Sequence, residues 1–192
     1  MSKGEATREA ILDAAGKLAG HVGLGGMTIG SLAAGTGLSK SGLYAHFRSK
    51  ESLQIQVLEH TRARFVAQVV APALTAPRGE PRVRAIFENW LRWDAQPGGC
   101  LFVAASSELD DQPGPVRDRL VRDQRDWLDT LAEVFRTGVA EGELTGDPEQ
   151  FAFDLDGVML SCHMSSRLLD DKAAEARARR AFESLLAAAK AG

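Results

Sequence analysis

Two features are scarce in the sequence: cysteine and long hydrophobic runs. The only two cysteines among 192 residues, Cys100 and Cys162, stand apart without a CxxC spacing. This pattern provides neither a disulfide framework nor a cysteine-based zinc site, so we expect two buried thiols. A redox role for Cys100 is the alternative, but nothing near it in the sequence would clearly lower the pKa of its thiol.

No window approaches 18 consecutive apolar residues, which excludes a predicted membrane span. The first ten residues, MSKGEATREA, lead into charged sequence instead of the apolar stretch of a secretion signal. The hydrophobic share of 44% and charged share of 26% are those of an ordinary globular protein. We therefore expect a cytoplasmic protein without a membrane partner.

Spacings typical of catalytic and metal sites are also missing. The four histidines show no metal-binding spacing, and Ser41 stands where a nucleophile elbow over residues 37–42 would need glycine. The acids Glu108, Asp110 and Asp111 are interpreted as a solvated loop cluster. The sequence thus predicts no catalytic residue, metal or cofactor, and a helical enzyme is kept only as a remote alternative.

Charge is divided unevenly along the chain, whose net charge is -3. Residues 1–55 carry six Lys or Arg against four acids, whereas the remainder carries 17 against 22. The positive excess therefore belongs to the N-terminal part, which could approach a polyanion while the acidic part is held away from it.

The N-terminal part contains two short predicted helices joined by a glycine turn. Thr28 is a suitable N-cap for the first helix, and Gly37 supplies the left-handed conformation that ends it. Ser39 caps the second helix, whose Leu43 and Phe47 share one face at a spacing of four residues. This arrangement predicts a helix-turn-helix.

The outward face of the second helix is basic, hydroxyl-rich and contains a glycine. Lysine can bind guanine edges, hydroxyl and imidazole groups can bind phosphate oxygens, and glycine allows the backbone to come close. Such a face suits the DNA major groove. The alternative is an ordinary helical hairpin with a solvated polar face.

The order T-I-x-x-L-A-x-x-x-G-L-S-K-S-G-L-Y-x-H-F-x-S-K over residues 28–50 closely resembles the N-terminal signature of the TetR family of transcriptional regulators. The resemblance implies an all-α protein of about nine helices. It implies a three-helix DNA-binding domain in residues 1–50 and a helical bundle for effector binding and dimerisation in residues 51–192.

The resemblance also implies a homodimer that binds palindromic operator DNA and is released by a small ligand. Lys40, Ser41 and Gly42 are expected at base edges, and the expected phosphate contacts are Thr28, Ser39, Tyr44, His46 and Lys50. A DNA-binding activator or structural factor of the same fold without an effector remains an alternative.

Helical periodicity covers much of the rest of the chain. The apolar run over residues 100–108 could be a strand or a buried helix, and we expect a helix because everything around it is helical. The first helix is predicted from a Thr7 cap with Val22 on its apolar stripe, and the fourth from a Ser49 cap to a stop at Pro72. Asp170 or Asp171 is expected to cap the last helix.

The C-terminal part contains all three tryptophans. The candidate pocket residues are Phe87, Trp90, Trp93, Phe102, Trp127 and His163, with Arg64, Arg92 and Gln124 as further polar anchors. They would surround a small, largely apolar effector. Plain core packing is the alternative for each aromatic.

The last two helices are apolar enough to need a partner. Their stripes could be buried within one chain or pair with the same helices of a second subunit. The family resemblance favours a homodimer through these two helices.

Overall fold

The computed structural model describes residues 3–190, apart from the side chains of residues 3, 5 and 6. The helices in chain order are α1 (Lys3–Val22), α2 (Ile29–Thr36), α3 (Lys40–Phe47), α4 (Lys50–Phe65), α5 (Glu80–Asp94), α6 (Leu101–Leu109), α7 (Pro115–Ala140), α8 (Pro148–Arg167) and α9 (Ala174–Ala188). A π-helical turn (Val66–Val70) and a final α-helical turn (Ala71–Leu74) continue α4. Over residues 3–190 there is no strand beyond one isolated bridge between Leu144 and Lys190, so the predicted all-α fold is confirmed. None of the described helices is long and apolar enough to cross a membrane.

The helices divide into two compact units. The first comprises Met1–Arg64 and Pro97–Asp123, and the second comprises Phe65–Gln96 and Gln124–Gly192. Helices α4 and α7 each begin in the first unit and end in the second. This division does not coincide with a boundary at residue 50, and the functional division there stays a prediction.

The first unit is held by helix packing and by one carboxylate that joins two helices. Helix α1 packs on α2 and α6, and α2 packs on α3. Asp13 Oδ1 on α1 lies 2.7 Å from His60 Nε2 and 3.4 Å from Arg64 Nη1 on α4. These polar contacts fix the C-terminal half of α4 beside α1.

The second unit is built around stacked aromatic rings. Phe87 on α5 stacks on Phe182 on α9 with centroids 4.2 Å apart, and Phe135 on α7 stacks on Phe151 on α8 at 4.1 Å. Large buried rings contribute most of the apolar area of such a core. Helices α8 and α9 also pack directly on each other.

Two predicted features of α1 are wrong. The helix begins at Lys3, so Thr7 lies inside it and does not cap it. Val22 is exposed because it is the last residue of the helix, where the chain turns away.

The other two wrong boundaries concern α4 and α9. The helical segment that continues α4 does not stop at Pro72. In the π-helical turn the Ala71 N–H donates to the Val66 carbonyl. Pro72 then lies in the first turn of the final α-helical turn, where a missing N–H is tolerated. Asp171 accepts the Ala173 N–H within a separate turn, and α9 begins only at Ala174.

Candidate nucleic-acid interface

The position of α2 is set by its N-terminal cap. Thr28 Oγ1 accepts the Ser31 N–H at 3.0 Å, and Ser31 Oγ accepts the Thr28 N–H at 3.0 Å. This reciprocal pair satisfies two backbone donors that the helix itself cannot satisfy. The helix ends at Gly37, whose φ of 69° is left-handed and whose N–H bonds to the Ala33 carbonyl. Both predicted ends of α2 are confirmed.

Helix α3 follows after a second cap. Ser39 Oγ accepts the Gly42 N–H at 3.1 Å, as the sequence predicts. Leu43 and Phe47 are fully buried and anchor one face of the helix. Because those two side chains point inward, the opposite face is presented to solvent.

The predicted contact residues on α3 are accessible to solvent. The exposed residues include Lys40, Ser41, Tyr44 and His46, and Tyr44 is 54% exposed. Gly42 is half-buried, and a Cβ there would lie 3.1 Å from Ser39 Oγ, so glycine also protects the cap. The face can offer charge, hydroxyl groups and an aromatic ring to a polyanion.

The residues after α3 add positive charge to the same region of the chain. Lys50 is exposed, begins α4, and its Nζ donates to the Gly25 carbonyl at 2.5 Å. Ser49 Oγ accepts the Ser52 N–H at 3.0 Å and caps α4 as predicted. Arg48 ends α3 with a φ of 63° and is exposed, but sequence reasoning did not select it. Its position directly after the second helix was the available signal.

The position of Glu108, which contacts the loop before α2, differs from the prediction. Glu108, predicted in a solvated loop cluster, lies in α6, is half-buried, and accepts the Leu24 N–H at 2.8 Å. Sequence reasoning missed this contact because the two partners are 84 positions apart.

Aromatic side chains of the second unit form a contact cluster. The Phe65 ring lies edge-on to Trp93 and Trp127, with centroids 5.4 Å and 5.0 Å away. Trp127 Nε1 donates to Asp156 Oδ1 at 3.2 Å, and burial raises the pKa of Asp156. The predicted residues Trp93 and Trp127 are thus linked through Phe65, which the sequence prediction omitted.

The remaining pocket candidates have varied surroundings. His163 Nδ1 lies 2.6 Å from Oδ1 of the buried Asp94. Trp90 and Phe87 are buried in the second unit, whereas Phe102 belongs to the first. Arg64 pairs with Asp13 in the first unit, Arg92 donates to Asn89, and Gln124 is half-buried.

Within residues 3–190, no group of three or more His, Cys, Asp or Glu side chains could hold a metal ion.

Helix α8 carries a second exposed surface of the opposite character. The exposed apolar side chains of this helix and of Leu168, the cap residue that follows it, are here called the α8 stripe: Phe153, Leu160, Met164 and Leu168. Beside them, residues of α8 and α9 line a groove of about 660 Å³. Neighbouring exposed apolar side chains of this kind can mark a protein interface or a ligand-binding groove.

A capped pair of short helices with an exposed polar face, followed by further helices, defines a helix-turn-helix DNA-binding protein. Two family models match the chain: "Bacterial regulatory proteins, tetR family" over residues 11–57 and "Tetracyclin repressor-like, C-terminal domain" over residues 79–182. The protein belongs to the TetR family and is a DNA-binding transcriptional regulator.

Known proteins resemble the chain over most of its length. The transcriptional repressor NemR of Escherichia coli K12 is 27% identical over 169 residues, which cover 84% of each chain. A TetR regulator from Chloroflexus aurantiacus is 26% identical with a TM-score of 0.81, covering 97% of this chain and 96% of that one. AibR, solved with isovaleryl coenzyme A and operator DNA, shares the fold at 24% identity and a TM-score of 0.69, covering 90% and 97% of the two chains.

Proposed function

We propose that the protein is a homodimeric repressor that binds a palindromic operator and leaves it when a small ligand binds. The outward face of α3 carries this proposal, because Lys40, Ser41, Tyr44 and His46 are exposed together on a helix fixed by the Ser39 cap. The similarity to a known repressor supports the direction of regulation. Because its partner is DNA, we expect the protein to act in the cytoplasm.

The proposed contacts divide by chemistry. Lys40 and Ser41 reach base edges in the major groove, where Gly42 lets the helix approach closely. The phosphate contacts are made by Thr28, Ser39, Tyr44, His46 and Lys50. Thr28 and Ser39 already accept backbone N–H groups as caps, and a hydroxyl can donate to a phosphate while it accepts an amide. The same hydroxyl group of Thr28 or Ser39 can therefore cap a helix and contact a phosphate.

The α8 stripe and the size of the recognition unit support the proposed dimer. One helix-turn-helix covers only a few base pairs, so tight specific binding usually uses two half-sites related by a twofold axis. The α8 stripe supplies an apolar surface that an isolated chain would leave in water. A second copy of the chain, pairing α8 and α9 with their equivalents, would cover it as an isologous interface.

The effector is proposed to be a small, largely apolar molecule that binds in the C-terminal part. The buried aromatic cluster of Phe65, Trp93 and Trp127 offers ring surfaces, while Asp156 and the Asp94–His163 pair offer polar groups. Apolar walls with few polar groups are usual in ligand sites. AibR was solved with an acyl coenzyme A and operator DNA, so this fold can serve both partners in that protein.

Selection from a randomised DNA duplex library tests the DNA-binding part of the proposal. We expect the full-length protein to enrich a palindrome whose half-site centres are about one helical turn, 34–36 Å, or a multiple apart. The selected duplex should bind at least a thousandfold more tightly than a scrambled duplex at the same salt concentration. Equal affinity for both duplexes would refute sequence-specific binding.

Ligand release is tested by titrating the selected complex with a panel of apolar molecules. Binding should change tryptophan fluorescence, since all three tryptophans of the chain are in the second unit. The same ligand should weaken operator affinity, and operator DNA should weaken ligand affinity by an equal factor. A regulator without an effector would bind the operator but show neither change.

A further inference from the structure

The loop between α1 and α2 is held by side chains from two other helices. Glu108 accepts the Leu24 N–H through Oε2 at 2.8 Å and the Gly25 N–H through Oε1. Gln54 Nε2 donates to the Leu24 carbonyl at 2.9 Å, and Lys50 Nζ donates to the Gly25 carbonyl at 2.5 Å. Every backbone polar group of these two residues is therefore bonded to a side chain of α4 or α6.

Glycines make the approach of the carboxylate possible. A Cβ at Gly25 would collide with Glu108 Oε1, and a Cβ at Gly23 would lie 3.1 Å from Oε2. Gly25 is not among the glycines with positive φ, so the close contact, and not its backbone conformation, requires the missing side chain. The loop is consequently shaped to receive Glu108.

The position of Glu108 is otherwise unfavourable. It is the penultimate residue of α6, where the helix dipole disfavours a negative charge. A carboxylate near a DNA-binding element also opposes phosphate binding. Two charge-assisted bonds to backbone N–H groups account for a carboxylate at this point.

We propose that Glu108 is a positioning residue for DNA binding, acting as a latch between α6 and the loop that leads into α2. The Thr28 cap follows Gly25 by three residues, so the latch sets where the helix-turn-helix begins. A shift of α6 that separates Glu108 from Leu24 and Gly25 releases the loop and weakens operator binding. The regulatory part of this inference rests on the proposed function.

Three variants separate geometry from charge. Glu108→Asp keeps the charge but shortens the side chain, and Glu108→Gln keeps the shape but loses one acceptor and the charge. Asp111→Asn is the matched control. Asp111 is an exposed acid three positions away from Glu108, and this substitution removes the same charge. Hydrogen exchange at the Leu24 and Gly25 amides reports the latch, and binding to the selected and scrambled duplexes reports its effect.

We expect both Glu108 variants to exchange the two amides at least tenfold faster and to bind the selected duplex about tenfold more weakly. Asp111→Asn should bind each duplex as tightly as the unmodified protein does, or slightly more tightly, because it only removes a negative charge. Tighter binding by Glu108→Gln would show a charge effect alone and overturn the proposal. Faster exchange with unchanged affinity in Glu108→Asp would overturn the positioning role.

A second substitution approaches the latch from the loop. Gly25→Ala places a methyl group against Glu108 Oε1 and should reproduce the affinity loss. Combined with Glu108→Ala, it should add little further loss, because both changes break the same contact. Fully additive losses would overturn the latch. If the unmodified protein preferred no duplex, the proposed function would fail, whereas unchanged amide exchange in Glu108→Asp would refute the latch separately.

Discussion

The outward faces of α3 and α8 differ in almost every physical property. On α3, a helix of eight residues with a side-chain cap, the exposed residues other than Ala45 are Lys40, Ser41, Tyr44 and His46. Along α8, a helix of 20 residues, the α8 stripe is apolar: Phe153 near its start is 71% exposed, and Leu168, the cap residue after its end, is 76% exposed. A polar face can bind hydrated phosphates, whereas an apolar face gains free energy only when another apolar surface covers it.

The comparison teaches how differently the two surfaces are encoded. The α3 face follows from local signals: a serine cap, a glycine and two inward residues four apart. The inner face of α8 also has a local signal, since Phe151, Leu155 and Met159 recur every four residues and are buried. The α8 stripe has no such signal, because apolar residues on both sides of a helix give no indication of which side meets a partner.

The largest effect is expected from a charge placed on the α8 stripe. Leu160→Asp should convert a dimer into monomers of 20.6 kDa, because an unpaired carboxylate would be buried in the interface. Operator affinity should then fall at least a hundredfold at protein concentrations that normally saturate the DNA. Sedimentation measures the mass, and titration of the selected duplex measures the affinity.

Leu128→Asp is the control for this prediction. Leu128 lies on α7 and is 37% exposed, against 39% for Leu160, so both substitutions change equally exposed leucines. A monomeric Leu128→Asp protein, or a dimeric Leu160→Asp protein, would show that α8 does not form the interface and would break the comparison.

The next effect concerns sequence preference on the α3 face. Lys40→Ala should weaken binding to the selected duplex by about 1 to 3 kcal/mol and relax the preference at one base pair. The measurement is a titration of single-base variants of the selected duplex. Equal losses on selected and scrambled duplexes would contradict a base contact and assign Lys40 to phosphates.

A smaller and more uniform effect is expected from Lys50→Ala. Removing this charge should weaken binding to all duplexes and reduce the slope of log affinity against log salt by about 1. Lys17→Ala, at an exposed lysine on α1, is the control and should leave the slope nearly unchanged. An unchanged slope for Lys50→Ala would contradict a phosphate contact and would leave the bond to the Gly25 carbonyl as the role of Lys50.

Local signals explain why much of the first unit could be predicted. Thr28, Gly37 and Ser39 act within four residues of their own positions, so their roles are visible in sequence. The wrong boundary at Pro72 has a different cause. A π-helical turn changes the hydrogen-bond pattern without an obvious sequence signal, and the helix continues past a residue that normally ends one.

Side-chain partners distant in sequence could not be predicted. Glu108 gave no indication that its partners were backbone N–H groups before α2. Phe65 was likewise not selected, although it links Trp93 and Trp127. Apolar periodicity shows that a residue is buried, but the identity of its neighbours depends on how the helices pack.

The smallest effect is expected on the inner side of α8, at Cys162. Burial, together with the charge of Asp94, raises the pKa of this thiol from its ordinary 9.0 to about 11. Because the folded-state pKa is the higher one, any stability from the neutral thiol is present below about pH 9 and is lost as the pH rises toward 11. At neutral pH, Cys162→Ala should therefore leave operator affinity nearly unchanged.

Alkylation measures the same property directly. At pH 8, iodoacetamide should modify Cys162 at least a hundredfold more slowly in the native protein than in urea, because only the thiolate reacts and the side chain is buried. Peptide mass spectrometry separates it from Cys100. Rapid native modification with loss of operator binding would give the inner side of α8 a chemical role, and the contrast between a DNA-binding α3 and a purely packing α8 would fail.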